Sequence, residues 1–424
     1  MCSSDLTLSV SLLLLFPSAL TNKPVAPLTG DVFGPEIKIT PDDPVLGDQF
    51  GSNLAISGNT AVISAAIGNS FSIHEGGLAY VFVRGENGWA QQQKLSVDEP
   101  ETQNGTFGIG VAIDGDTIVV GDQNAVSGGA ITGAAYVFQR QGTVWSLQQR
   151  LIPDQGGPDA QFSSYGLAIV IRGDTIIVGA PLYSGASPSA GAAFVYVRSG
   201  GIWTQTQKLN ANDLTPEVGF AGAVAISGNT AVFGAVGDSI NGQNSGAAYV
   251  FTRQNGVWSQ QHKLKAHDPS ENALFGQSVS ASGDIIVVGA PGDIVGSHTS
   301  GGAYIFRRGN AGWTNEKKLL SRDSDAVDGY GWTVAVDGNT IVVGHFGDQD
   351  VAIVGGAAYV YQLNGNSGWS LKQKLIASDT AQFHNFGFRL AINGDTILIG
   401  AHGDDRGGGA FDDFGAAYIY DALP

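Results

Sequence analysis

Cysteine, methionine and charged residues are scarce in this chain. Its 424 residues include one Cys and one Met, and only 14% of them are charged. Because Cys2 has no second cysteine to pair with, an intrachain disulfide is excluded. Lys and Arg together number 21 against 38 Asp and Glu, which gives a formal net charge of −17 at pH 7. Duplex binding needs a basic surface, so nucleic acid is excluded as a partner.

Long apolar runs are rare, and one of them lies at the start of the chain. Leu6 to Phe16 is too short to cross a bilayer but suits the apolar core of a secretory signal. We interpret residues 1–22 as a signal-peptide-like segment and residues 23–32 as a linker. Met1 to Leu6 lacks the basic residues of such signals and is a candidate non-native start. No later segment is apolar enough for a membrane span, so we expect a secreted or cell-surface monomer.

Glycine, by contrast, is abundant, with 62 residues, and part of it belongs to a repeat. An aromatic-glycine pair, with Ala221 in place of the glycine in the fourth copy, recurs every 55 to 58 residues, at Phe50, Phe107, Tyr165, Phe220, Phe275, Tyr330 and Phe386. After each pair come an apolar alternation, a Gly-Asn or Gly-Asp dipeptide, a buried run such as IVVGA, and a segment such as GAAYVF. In six copies a Trp then precedes a Lys-Leu or Arg-Leu pair. A period of this length indicates stacked supersecondary units.

Each copy predicts four antiparallel strands. Glycine at the first position of the Gly-Asn or Gly-Asp dipeptide fits a two-residue type II′ hairpin, which needs positive φ there. Seven four-stranded copies predict an all-β, seven-bladed β-propeller over residues 33–424. The last copy stops at Tyr420, without its Trp strand. Phe33 to Ile39 has the matching spacing, so we predict that this N-terminal strand completes blade 7 and closes the ring.

The repeat motif resembles that of a known family. Tyr165-Gly166 with Gly179-Ala180-Pro181, and Phe275-Gly276 with Gly289-Ala290-Pro291, resemble the FG-GAP repeat of the integrin α-chain propeller. The resemblance implies an extracellular propeller that binds partners through its loop face. Calcium-binding members of that family carry a D-x-D-x-D-G loop between strands 1 and 2. Here those connections are two-residue turns, too short to wrap a cation that takes six to eight oxygens, so we do not expect calcium there.

Charge is distributed unevenly over the two predicted faces. The 1–2 and 3–4 turns share one face, which we call the lower face, and the 2–3 and 4–1 loops share the upper face. Most acids fall in the upper loops, which predicts an acidic upper face. One aspartate recurs per blade in the 4–1 loop and is interpreted as an Asx-turn or cap: Asp43, Asp98, Asp154, Asp213, Asp268, Asp323 and Asp379. Arg172-Gly173-Asp174 spells an integrin-recognised tripeptide, interpreted here as the recurring turn.

Blades 6 and 7 depart from the repeat in their upper loops. The candidate ligand-binding residues there are His345, Asp348, Asp350, His384, His402, Asp404, Asp405, Asp412 and Asp413. Imidazoles and carboxylates on one rim can bind a transition metal or perform general acid/base chemistry. No metal-ligand spacing such as H-E-x-x-H is present, so this pattern equally fits an ordinary acidic loop face. A metal is left open, and no cofactor is expected.

Two classes of function fit these observations. The first is a non-enzymatic extracellular interaction or adhesion module that binds a protein or glycan through the upper face. The alternative is a secreted propeller enzyme, a carbohydrate lyase or hydrolase, with a His/Asp site on blades 6 and 7. No nucleophile elbow, phosphate loop or cysteine nucleophile favours catalysis, so we expect no enzymatic activity. An enzyme needs a pocket where His and Asp converge near the channel mouth.

Overall fold

The computed structural model describes residues 32–66, 76–97, 106–154, 168–185, 187–296, 298–321, 329–405 and 413–423. Seven four-stranded antiparallel sheets follow one another, which confirms the predicted seven-bladed β-propeller. In the described ranges the only helical segment is a 3₁₀ turn, Gly365–Ser367. No helix in those ranges is therefore long and apolar enough to cross a bilayer.

The strands of each blade follow in chain order, apart from the last. Blades 1 and 2 comprise Asn53–Ser57, Thr60–Ala65, Leu78–Gly85 and Gly88–Leu95, then Gly110–Asp114, Thr117–Asp122, Ala134–Gln141 and Val144–Leu151. Blades 3 and 4 comprise Ile169–Arg172, Thr175–Ala180, Ala192–Ser199 and Ile202–Leu209, then Val224–Ser227, Thr230–Ala235, Ala247–Gln254 and Val257–Leu264. Blades 5 and 6 comprise Ser278–Ser282, Ile285–Ala290, Gly302–Gly309 and Gly312–Leu319, then Tyr330–Asp337, Thr340–His345, Ala357–Leu363 and Trp369–Leu375. Blade 7 comprises Arg389–Asn393, Thr396–Ala401, Ala416–Asp421 and Ile37–Ile39, and upper-loop hairpins occur at Val126–Ser127 with Ala130–Ile131 and at Ile294–Val295 with His298–Thr299.

The position within the blade decides how deeply each strand is buried. The first strands of neighbouring blades contact one another in a closed ring of seven, which places them around the central axis. The second strands are rich in β-branched residues and are buried along their length, except at Thr340. These continuous apolar runs fit a strand that is covered by neighbouring blades on both faces.

The turn between the first two strands has the predicted form in every blade. Its first residue is a glycine with φ between 52° and 57° at Gly58, Gly115, Gly173, Gly228, Gly283, Gly338 and Gly394. The second turn residue does not have positive φ. This combination is the type II′ pattern, so the lower face is built from near-identical tips.

Neighbouring blades are joined where the aromatic-glycine pair of one blade meets the glycine before the third strand of the previous blade. At the closing junction, Phe50 forms a parallel bridge with Gly415. A Cβ on Gly415 would lie 2.0 Å from the Phe50 carbonyl oxygen, and one on Gly51 would lie 2.3 Å from the Ala416 oxygen. A side chain at the Gly415 position would therefore clash with the facing backbone, whereas the second position of the pair is Ala221 in blade 4, with a φ of 68°. The Phe50 ring then packs edge-on against Tyr80 of its own blade, at 5.5 Å between centroids.

A glutamine clamp joins several blades near their outer edge. The Gln149 side chain accepts a hydrogen bond from the Trp203 amide at 2.9 Å and donates to the Trp203 carbonyl at 2.7 Å. The same pair of bonds links Gln93 to Trp145, Gln207 to Trp258 and Gln373 to Phe33. The side-chain amide thus forms the two backbone hydrogen bonds that a neighbouring strand would otherwise form.

The N-terminal strand closes the ring, as predicted. Ile37, Lys38 and Ile39 pair antiparallel with Ile419, Tyr418 and Ala417, and Phe33 bridges Ala422. The register shifts by one residue between these pairings, as it does between strands 3 and 4 of the other six blades. Phe33 also takes the Trp position in the glutamine clamp, so the N-terminal segment reproduces a complete fourth strand.

The clamp at the seam yields a stability prediction. Gln373→Ala removes the acceptor for the Val32 and Phe33 amides, and Phe33 is 3% exposed. Loss of these bonds should lower the free energy of unfolding by about 2–4 kcal/mol. Denaturant titration measures the change. Lys372→Ala, at the preceding position on the same strand, is the control and should alter stability by about 0.5 kcal/mol or less. Equal effects of the two substitutions would contradict the role of the clamp.

Candidate functional site

The upper face carries a repeated network of one lysine, two aspartates and one tyrosine. In blade 5, the Lys318 ammonium lies 2.8 Å from Asp268 and 2.7 Å from Asp293, and the Tyr304 hydroxyl donates to Asp268 at 2.8 Å. Blade 4 forms it with Lys263, Asp213, Asp238 and Tyr249, and blade 7 with Lys38, Asp379, Asp404 and Tyr418. The lysine comes from the fourth strand and reaches up to the loops.

Lysines of the fourth strands pair with part of the acidic charge of the upper face. Four of the recurring aspartates form ion pairs with them: Asp43, Asp213, Asp268 and Asp379. Their interpretation as Asx-turns or caps, and the acidity of the upper face, stay predictions. Burial alone would raise the pKa of Asp268, but hydrogen bonds from Lys318 and Tyr304 lower it overall.

In blade 6, the candidate residues extend this network. Asp348 is 4% exposed and accepts from the Tyr359 hydroxyl at 2.9 Å and the Lys374 ammonium at 2.7 Å. His345 is 1% exposed, and its Nδ1 lies 3.2 Å from Asp348. Asp350 is exposed and pairs with Lys374 at 2.5 Å. Burial acts to raise the pKa of Asp348, yet His345 and Lys374 hold it well below its usual range.

In blade 7, the candidate residues contact each other only in part. His384 is buried, with Nδ1 accepting from the Ala381 amide at 3.3 Å and lying 3.7 Å from Asp404. Asp404 is fully buried and is held by Lys38 at 2.6 Å. Asp405 accepts from the Asp413 amide at 2.9 Å. Asp412, the remaining candidate, lies outside the described residues.

His402 occupies a different environment, at the upper mouth of the central channel. Its ring centroid lies 4.4 Å from that of Phe388, which is 5.7 Å from Trp332 and 5.8 Å from Phe346. All four rings are half-buried. Burial, together with the charge of Arg389, lowers the pKa of His402 to about 4, so the imidazole is neutral at physiological pH. We call these four rings the channel-mouth cluster.

The described contacts therefore place the three histidines in separate environments. His345 and His384 each lie beside an aspartate that is also paired with a lysine. His402 lies among aromatic rings. No group of three or more His, Cys, Asp or Glu in the described ranges has the geometry to hold a metal ion. Within those ranges, the geometry arranges the candidate carboxylates for ion pairing.

Sequence comparison of the blades reveals the channel-mouth cluster only once the ring geometry is known. The second residue after each repeated aromatic is Ser52, Ile109, Leu167, Gly222 and Gln277 in blades 1 to 5, but Trp332 and Phe388 in blades 6 and 7. The sequence analysis identified His402 alone. The additional signal was an aromatic residue at the matching position of two adjacent blades, where the other five blades have none.

The lower face accounts for the Arg172-Gly173-Asp174 tripeptide. Gly173 is the positive-φ turn residue, and the Asp174 carboxylate accepts from Arg198 at 2.8 Å. Arg198 lies in turn over the Trp203 ring. The tripeptide is thus this blade's copy of the recurring turn, as the sequence analysis concluded.

The repeats match one known family along most of the chain. The FG-GAP repeat model matches residues 33–82, 89–138, 145–196, 203–251, 258–306, 313–361 and 369–420. The chain belongs to the FG-GAP repeat family. Each matched segment of this FG-GAP propeller runs from the fourth strand of one blade to the third strand of the next, so the first begins on the ring-closing strand at Phe33. No curated protein sequence matches the FG-GAP propeller.

The short turns give a prediction about calcium. The 1–2 connections contain two residues each and cannot supply the six to eight oxygens that calcium takes. A chelator such as EGTA should therefore shift the melting temperature of the FG-GAP propeller by less than about 2 °C, since the 1–2 turns hold no calcium ion whose removal would destabilise the native state. Differential scanning calorimetry with and without chelator measures this. A large drop that calcium restores, but magnesium does not, would contradict it.

The lysine networks contain buried and exposed aspartates, and we predict that the buried ones contribute more to the free energy of unfolding. Asp404→Ala removes a fully buried carboxylate and leaves Lys38 with one partner, so we expect a loss of about 3 kcal/mol in the free energy of unfolding. Asp350→Ala is the matched control, because this exposed carboxylate pairs with Lys374 in the equivalent network and should contribute at most about 1 kcal/mol. Chemical denaturation of both variants tests the difference. Comparable losses would refute the distinction.

Proposed function

We propose that this FG-GAP propeller is a non-enzymatic interaction module that acts outside the cell, as a secreted or cell-surface monomer. In this proposal the upper face holds a protein or glycan partner. A repeat scaffold can vary its loops without disturbing its core, and binding residues concentrate in such loops. The lower face consists of near-identical turns, whereas the upper loops differ in length and sequence from blade to blade.

One observation carries the proposal. Five consecutive blades each present one exposed aliphatic side chain in the 2–3 loop: Ile131, Leu182, Ile240, Ile294 and Val351. Their exposed fractions range from 41% to 63%. Single exposed apolar residues are ordinary, but one at the same loop of each of five adjacent blades distributes apolar contact points around the upper face. Such a surface suits association with a partner.

The enzyme alternative is less well supported by the same contacts. General acid/base catalysis needs a titratable side chain within reach of a substrate. The candidate carboxylates Asp348 and Asp404 are buried and ion-paired, and equivalent aspartates perform the same structural role in blades 4 and 5. The absence of enzymatic activity stays a prediction.

Two double variants, one on the upper face and one near the lower face, test the proposed function. Ile240→Asp with Ile294→Asp changes the upper face. Ile202→Asp with Val257→Asp is the control, because these two residues are also exposed aliphatic side chains and lie on the outer strands near the lower face. We expect binding to an array of glycans and extracellular ectodomains to fall roughly tenfold or more for the upper pair only. Melting temperatures check that both pairs fold.

The opposite result would place the partner on the lower face and contradict the proposal. Depolymerisation of array polysaccharides, detected as new reducing ends or unsaturated sugars, would instead favour the enzyme alternative.

A further inference from the structure

The upper mouth of the central channel contains an isolated positive charge. Arg389 is the first residue of the first strand in blade 7, beside the channel-mouth cluster. Among the described residues of the seven first strands, the only other cation is Arg172, which lies at the lower end. No described carboxylate forms an ion pair with Arg389, whose Nε donates to the Asn53 amide oxygen at 2.9 Å.

The surroundings of Arg389 are apolar and aromatic. Its guanidinium carbon lies 4.7 Å from the centroid of the Phe388 ring. Burial lowers the pKa of Arg389 to about 10, so it remains charged at neutral pH without a carboxylate to compensate it. A charge in a site of low dielectric gains much from an opposite charge, because solvent screens the interaction poorly there.

Further polar atoms of this region lack partners within the protein. The Trp332 Nε1 and the His402 Nδ1 are buried atoms with no hydrogen-bond partner in the described part of the chain. Buried polar atoms normally have a partner, and the protein supplies none to these two atoms at the edge of the cluster. The cluster therefore offers ring faces, a cation, an indole donor and a neutral imidazole within one small region.

We propose that this channel mouth binds an acidic sugar residue of a glycan, with its anionic group on Arg389 and its ring against the channel-mouth cluster. A pyranose presents an apolar C–H face, hydroxyls and a carboxylate or sulfate on one rigid unit. That combination matches aromatic faces beside Arg389, Trp332 and His402. An acidic peptide offers the charge on a flexible chain without the flat apolar face. The proposal rests on the proposed function and narrows its partner to one chemistry.

The net charge of the protein does not prevent an anion from binding here. Long-range repulsion from −17 charges is screened beyond about 8 Å at physiological ionic strength. The nearest upper-face networks hold their aspartates against lysines, as Asp404 is held by Lys38. Arg389 is the charge that acts directly on His402 of the cluster.

Titrations with defined probes test the site. The probes are an oligogalacturonate, the same oligosaccharide with its carboxylates reduced to alcohols, a sulfated neutral oligosaccharide and a glutamate oligopeptide. Binding is followed by calorimetry and by tryptophan fluorescence, with Trp332→Phe identifying the responding ring. We expect saturable binding of the uronate or the sulfated probe, which distinguishes the two sources of the anion, and at least roughly tenfold weaker binding of the neutral form of the sugar.

Variants connect that binding to the site. Arg389→Gln should weaken binding of the acidic probe about 10- to 100-fold. Arg172→Gln, at the other end of the first strands, is the matched control and should leave it unchanged. Arg389→Lys keeps the charge, so it should retain more affinity than Arg389→Gln and guards against a folding defect, which thermal melts monitor.

Three results would overturn the inference: no saturable binding of either acidic sugar up to about 10 mM, equal affinities of wild type and Arg389→Gln, or binding of the glutamate peptide in place of the sugars. The proposed function would survive each of these if the array partner is still lost with Ile240→Asp and Ile294→Asp. The two hypotheses therefore fail separately.

Discussion

The contact between an aromatic-glycine pair and the glycine of the preceding blade is the constraint on which the ring depends. It fixes two backbones at a distance that no side chain permits, as the Phe50 and Gly415 junction shows. The aromatic ring of the same pair then enters the core of its own blade, against Tyr80. One dipeptide thus sets both the spacing between blades and the packing within a blade. This explains why the pair recurs while the surrounding loops vary.

A second repeated interaction explains why many charged residues of the upper face are structural. Three strand-4 lysines each bind two aspartates: Lys263, Lys318 and Lys38. One aspartate lies in the 4–1 loop that leads into the lysine's blade, and the other lies in the 2–3 loop of that blade. The lysine ammonium also lies over a tyrosine ring, as Lys318 Nζ does at 5.1 Å from the centroid of Tyr304. The networks anchor the loops at their bases and leave the tips free to differ. A scaffold of this kind separates residues that hold a loop from residues that a partner contacts.

Much of the fold could be predicted from the sequence, because the same positions recur in every repeat. Less of the site could be predicted, because its residues are distant in the sequence and become neighbours only in the folded ring. The strands, the II′ turns and the closing strand at Phe33 follow from positions that recur at a constant spacing. The pairing of Lys318 with Asp268 does not follow from the repeat. About fifty residues separate the two, and the sequence does not indicate which aspartate a given lysine will contact. Trp332 and Phe388 likewise become neighbours only when blades 6 and 7 are placed side by side.

The ring-closing strand has a consequence for how the molecule is made. Ile37–Ile39 is synthesised before the strands of blades 1 to 6, yet its partner Ala416–Asp421 follows all of them in the chain. The six complete blades can form in order from local hairpins, as domains do during synthesis. The ring-closing strand must therefore wait, unpaired, until the third strand of blade 7 has been synthesised. Ribosome passage time, and not hairpin formation, sets the earliest moment at which the seventh blade exists.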